Sequence, residues 1–187
     1  MQRTTCFFYS NLRVLCDEFY FRGAMKIFKP FLIVALIIVL SGLIMTTQKN
    51  VPNIEFTALN GEKISLERLR GKPVVVTFWA TDCASCLKEI PIWLDLYSQF
   101  HTQGLEILAV SMNYDPPNHV IELSKQRALP YLITLDIDAK IASAFGNVKV
   151  TPTTFLLNPK GEIVWQKVGV FELAELQPQI KNFLKEK

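Results

Sequence analysis

The passage from Val74 to Phe100 constrains this chain most. Val74–Phe78 is an uninterrupted apolar, β-branched run, the pattern of a strand covered on both faces. Past Trp79, the segment Ala84–Phe100 carries Leu87, Ile90, Leu94, Tyr97 and Phe100 at spacings of three and four, a helical stripe turned toward a core. A buried strand feeding a helix needs a sheet layer with helices packed on it, so the fold class is α/β. Pro91 falls inside the helix, where its ring removes a ladder bond and predicts a kink.

The flanking segments continue the pattern. Asn53–Leu59 and Lys63–Ser65 form an N-terminal hairpin about Asn60-Gly61, and Leu66–Arg70 makes one helical turn stopped by Gly71. Leu105–Ser111, Leu132–Leu135, Thr153–Leu157 and Ile163–Val168 are predicted strands. Helices are predicted over His119–Arg127, Asp138–Phe145 and Phe171–Leu184, the last kinked or split at Pro178. The order implies a mixed central sheet with helices on both faces.

Cys83-Ala84-Ser85-Cys86 falls where the strand gives way to the helix. A C-x-x-C pair in that context reads as a redox motif. At a helix start the first thiol meets unpaired backbone N–H groups and the positive end of the helix dipole. Both favour the thiolate and make Cys83 the attacking sulfur. Cys86, one turn on, is placed to resolve a mixed disulfide. Glu89 follows Cys86 by three residues, close enough on the helix to exchange protons with the dithiol, though an ordinary solvated glutamate fits the same spacing. Trp79 can shield the pair or simply pack in the core. Asp82 and Ser85 flank the cysteines and would tune them. Asp82 opposes a thiolate at Cys83 and can also cap the helix. A zinc site is not expected, since His101 and His119 have no ligand spacing to the two cysteines. The chemistry needs no cofactor, because the two sulfurs carry the electrons.

The N-terminal region has a different character. Phe31–Met45 is fifteen residues without a charge, apolar on every face. With Pro30 and the following threonines it approaches the length of a spanning helix. We read 30–47 as a single-pass transmembrane signal-anchor; a cleaved signal peptide is the rival, but no A-x-A site follows. Arg22, Lys26 and Lys29 precede the run, which puts the N-terminus in the cytoplasm and the domain at 48–187 outside the bacterial cell membrane, in the periplasm or its equivalent. Residues 1–47 hold five basic and two acidic side chains, and the remainder holds fifteen of each. The net positive charge therefore belongs to the anchor region, and no basic stripe points to nucleic acid. Residues 1–29 are a cytoplasmic tail, of which 1–24 reads alternatively as an over-extended gene start before Met25. Cys6 and Cys16 lie on the cytoplasmic side, away from Cys83 and Cys86.

Several blocks occur in order: Pro52-x-x-x-Phe56, Gly71-Lys72-Pro73, Phe78-Trp79-Ala80, Cys83-x-x-Cys86, Glu89-x-Pro91, Thr151-Pro152-Thr153-Thr154-Phe155 and Asn158-x-x-Gly161. Together they resemble the membrane-anchored, thioredoxin-like proteins of the TlpA/ResA type over about residues 51–185. The resemblance implies a thioredoxin-like fold with a helical insertion near Pro116–Leu129. It implies thiol–disulfide oxidoreductase activity with Cys83 as surface nucleophile, Cys86 as resolving thiol and Glu89 as the site's acid. Pro152 would be a cis proline facing the dithiol, leaving the Thr151 backbone free to pair with substrate. The expected partners are exported proteins with disulfides, apocytochrome c among them, and a membrane thiol reductase as electron donor.

The sequence departs from that pattern in two places. Asp82 stands where the family usually has tryptophan, and Ala84-Ser85 where it has Gly-Pro or Glu-Pro. The dithiol is intact; potential, partner choice and direction of electron flow are what the changes touch. Peroxiredoxins share the general fold, and Thr81 suits one, but a second cysteine three residues on favours dithiol exchange. A copper carrier of the same fold would want wider cysteine spacing and a paired histidine. A non-enzymatic binding role is the remaining alternative.

Overall fold

The computed structural model describes residues 51–185. The chain divides into two units, Met1–Thr47 and Gln48–Lys187, and the described residues all belong to the second. The tail and anchor expected over 1–47 lie outside the described residues. Among the described residues no helix is long and apolar enough to cross a membrane.

A small antiparallel hairpin, β1 (Glu55–Thr57) and β2 (Lys63–Ser65), leads through a short 3-10 turn at Leu66–Leu69 into the main sheet. That sheet holds β3 (Val74–Trp79), β4 (Glu106–Ser111), β5 (Leu132–Leu135), β6 (Thr153–Leu157) and β7 (Ile163–Val168), in the order β5-β4-β3-β6-β7. β3 pairs parallel with β4 and antiparallel with β6, so the sheet is mixed and β3 is its centre. The helices are α1 (Ala84–Phe100), α2 (Pro117–Gln126), α3 (Lys140–Ala144) and α4 (Leu173–Lys185).

The two-residue period of β3 divides the core. Val75 and Trp79 join one cluster with Cys86, Trp93 and Leu96 of α1 and Leu176 and Ile180 of α4. Val74, Val76 and Phe78 join a second cluster with Phe56 of the hairpin and Ile141 and Phe145 at α3. Each face is thus sealed by different elements, and every residue of β3 is buried. Phe78 is fully buried, with Phe145 and Phe155 edge-on at 5.5 and 5.9 Å.

Two expectations are modified. The buried face of α1 is Cys86, Glu89, Ile90, Trp93, Leu96 and Phe100, while Leu87, Leu94 and Tyr97 are only partly covered. The stripe is rotated because a glutamate and a cysteine occupy core-facing positions. Pro178 does not split the C-terminal helix: α4 is continuous, and Pro178 stands exposed.

Candidate active site

The site forms where β3 ends. Met112 donates its N–H to Trp79 O at 3.0 Å, carrying the β3–β4 ladder past the strand ends. The chain then turns through Ala80–Cys83, closed by Cys83 N–H to Ala80 O at 3.2 Å. Cys83 is the N-cap of α1: its backbone is extended and its Sγ accepts the Cys86 N–H at 3.2 Å. Asp82, which could also have capped the helix, does not do so: the turn places Cys83 at the last non-helical position and leaves Asp82 exposed. Sulfur thus occupies the place an oxygen usually takes at a helix start, and meets the positive helix end directly.

Cys83 and Cys86 are joined by a disulfide, with Cα atoms 5.3 Å apart. Cys83 is partly accessible and Cys86 is buried. The Ser85 hydroxyl lies 3.4 Å from Cys83 Sγ, while Ala84 is exposed and adds no polar group. The accessible sulfur is therefore the one that an incoming disulfide can reach, and the buried one waits behind it.

Glu89 is only 2% exposed, and neither carboxyl oxygen has a hydrogen-bond partner. It lines a small pocket with Trp79, Cys86, Trp93 and Tyr131. The buried indole N–H of Trp79 also lacks a partner. Burial pushes the Glu89 carboxyl up from 4.5 to about 7; the Phe171 backbone, which makes no full hydrogen bond to it, pulls the other way. An acid held near neutrality beside a resolving thiol can take or release a proton as that thiol cycles. Burial also raises the Tyr131 hydroxyl above its ordinary value.

Pro152 follows a cis Thr151–Pro152 bond just before β6. Phe78 pairs with Thr153, so Pro152 comes level with the end of β3, where the cysteine turn begins. Gly169 N–H donates to Pro152 O at 2.8 Å, and the Tyr114 hydroxyl lies 3.4 Å from Thr151 Oγ1. The register thus draws Trp79, the cysteine turn and the Thr151-Pro152 loop to one end of the sheet. His101 and His119 are elsewhere, at the far end of α1 and on the exposed start of α2. Among the described residues no three His, Cys, Asp or Glu side chains converge as a metal site would require.

Sequence reasoning missed Asp115. It is buried, and it accepts from the Thr81 N–H at 2.7 Å and the Thr81 hydroxyl at 2.5 Å. The Thr81 hydroxyl, suggestive of a peroxidase in sequence, is engaged by this carboxylate. A separation of 34 residues offered no local signal for the pair.

The redoxin family model matches residues 46–182. Thiol-disulfide oxidoreductase ResA of Bacillus subtilis is 37% identical over 60% of this chain and 62% of its own length. The chain thus spans somewhat under two thirds of that relative. ResA of Bacillus thuringiensis is 33% identical over 75% of this chain and 78% of its own. Among solved structures, StoA from Bacillus subtilis superposes with a TM-score of 0.60 at 26% identity, covering 70% of this chain and 97% of that one. With the cysteine pair at a helix start and the mixed sheet beneath it, the chain belongs to the redoxin family, as a thioredoxin-like thiol–disulfide oxidoreductase of the ResA/TlpA type.

Proposed function

We propose that the chain reduces disulfides in exported proteins, the cysteine pair of apocytochrome c before haem attachment among them. The observation that carries this reading is the acidic setting of the dithiol. Asp82 directly precedes Cys83, and the buried Glu89 lines a cavity with Cys86. An ionised carboxylate beside a dithiol opposes a strongly stabilised thiolate. Strong oxidants of this class owe their potential to a stabilised reduced form, so an acidic setting favours a reductant.

In the reduced protein the Cys83 thiolate attacks a substrate disulfide. That bond breaks, a Cys83–substrate disulfide forms, and one substrate sulfur leaves as a thiolate. Cys86 gives up its proton to Glu89 and attacks Cys83 Sγ. The mixed disulfide breaks, the second substrate sulfur leaves, and the Cys83–Cys86 bond closes. Two electrons pass to the substrate, whose two sulfurs are protonated from Glu89 and solvent. The Thr151 main chain, beside the cis Pro152, would hold an extended substrate segment across the sulfurs. Trp79 would keep the Cys86 side of the site apolar.

An anchor at 30–47 would hold the domain at the outer face of the cell membrane, with a membrane thiol reductase restoring the dithiol. A Cys86→Ser chain stalls at the mixed disulfide and tests the substrate class. Expressed in cells, it is expected to trap exported proteins that carry a cysteine pair, and to form an adduct with an oxidised Cys-x-x-Cys-His peptide. Adducts with cytosolic proteins alone would overturn the exported-substrate reading, and failure of the peptide would remove the cytochrome assignment.

A further inference from the structure

Two turns leave adjacent parallel strands side by side. β3 exits through Ala80–Cys83, and β4 exits through Met112–Asp115, closed by Asp115 N–H to Met112 O at 3.0 Å. Asp115 ties them together. Its Oδ2 accepts from Thr81 N–H at 2.7 Å and its Oδ1 from the Thr81 hydroxyl at 2.5 Å, with Ser111 Oγ at 3.4 Å behind. Asp115 is 6% exposed, so its hold on Thr81 is shielded from solvent. Thr81 is two residues before the nucleophile, in the turn whose closing residue is Cys83 itself.

We infer that Asp115 is a positioning residue for the exchange reaction: it fixes the Ala80–Cys83 turn through Thr81 and so sets the line along which Cys83 Sγ meets a substrate disulfide. Sulfur exchange needs the three sulfurs nearly in line, and small displacements of a nucleophile cost large factors in rate. The inference rests on exchange at Cys83 and not on its direction.

The test is steady-state reduction of insulin disulfides by the full-length chain and three variants, with the fold of each checked by circular dichroism. Asp115→Ala removes both acceptors and should lower kcat about 30-fold with KM unchanged. Asp115→Asn retains an oxygen for the Thr81 amide and an NH2 group for its hydroxyl, and should stay within about threefold of the parent. Thr81→Val loses only the hydroxyl bond and should fall about threefold to tenfold. If Asp115→Ala does not fold, Thr81→Val decides, and parental kcat there overturns the inference. It is also overturned if a folded Asp115→Ala turns over like the parent, or if Asp115→Asn is as slow as Asp115→Ala. A parent chain with no turnover would overturn the exchange reading, and this inference with it.

Discussion

Glu89 and Asp136 are both 2% exposed, yet the fold treats them oppositely. Asp136 follows β5, and its carboxylate accepts the N–H groups of Ile141 and Ala142 at 2.9 and 2.7 Å, capping the start of α3. Its burial is answered by two donors, and its work is structural. Glu89 faces a cavity with no partner at either oxygen, and burial holds its carboxyl near 7. A buried acid left without a full hydrogen bond costs stability, and its place beside Cys86 is the setting in which a carboxyl can exchange protons with a thiol. Burial alone therefore says little; the missing partners beside Cys86 are what single out Glu89.

The largest expected effect lies in turnover. Glu89→Gln should slow disulfide exchange at pH 7 by about 100-fold, the usual weight of a proton-transfer group. Asp136→Asn should leave it within about twofold. Insulin reduction measures both, and an equal loss in the two variants would erase the distinction.

Stability should reverse the ranking. Asp136→Ala strands two buried amides and should cost about 4 kcal/mol in urea unfolding. A loss below about 1 kcal/mol would mean that the cap is not what holds α3.

Between pH 4.5 and about 7 a pH dependence is expected from Glu89. The folded chain keeps its proton until about pH 7, whereas the unfolded chain loses it near 4.5. Between those values the folded state binds the extra proton, so stability falls as pH rises and levels off above about 7. The loss is on the order of 3 kcal/mol. Glu89→Gln should remove that slope and exceed the parent chain in stability at pH 8. Parallel slopes in both proteins would assign the proton elsewhere.

An exposed acid sets the baseline. Glu175 pairs with Lys167 at 3.1 Å on the surface. Glu175→Ala should cost under about 1 kcal/mol, and that cost should shrink further in salt.

Much of this arrangement was legible in the sequence. The apolar run at Val74 marked the central strand because burial on both faces leaves no polar alternation to hide it. The Cys83–Cys86 pair was legible from the strand-to-helix junction, whereas the offset of Glu89 fitted a solvated glutamate equally well and hid its burial. What stayed hidden was set by side chains that break the simple pattern. Cys86 and Glu89 lie on the core face of α1, so the apolar spacing pointed to Leu87 and Leu94 where Trp93 and Leu96 are the buried residues. Asp82 was one possible helix cap, yet the turn geometry puts Cys83 at that position. Asp115 reaches Thr81 only because β3 and β4 are neighbours in register, which no local spacing records.

The central claim is that Cys83 and Cys86 exchange electrons with protein disulfides in the reducing direction. The reduction potential of the full-length chain, equilibrated against glutathione with Cys83→Ser as control, tests it most directly. The expected value is about −250 mV or below, with no redox transition at this pair in the control. A value near about −120 mV would place the chain among the strong oxidants and contradict it.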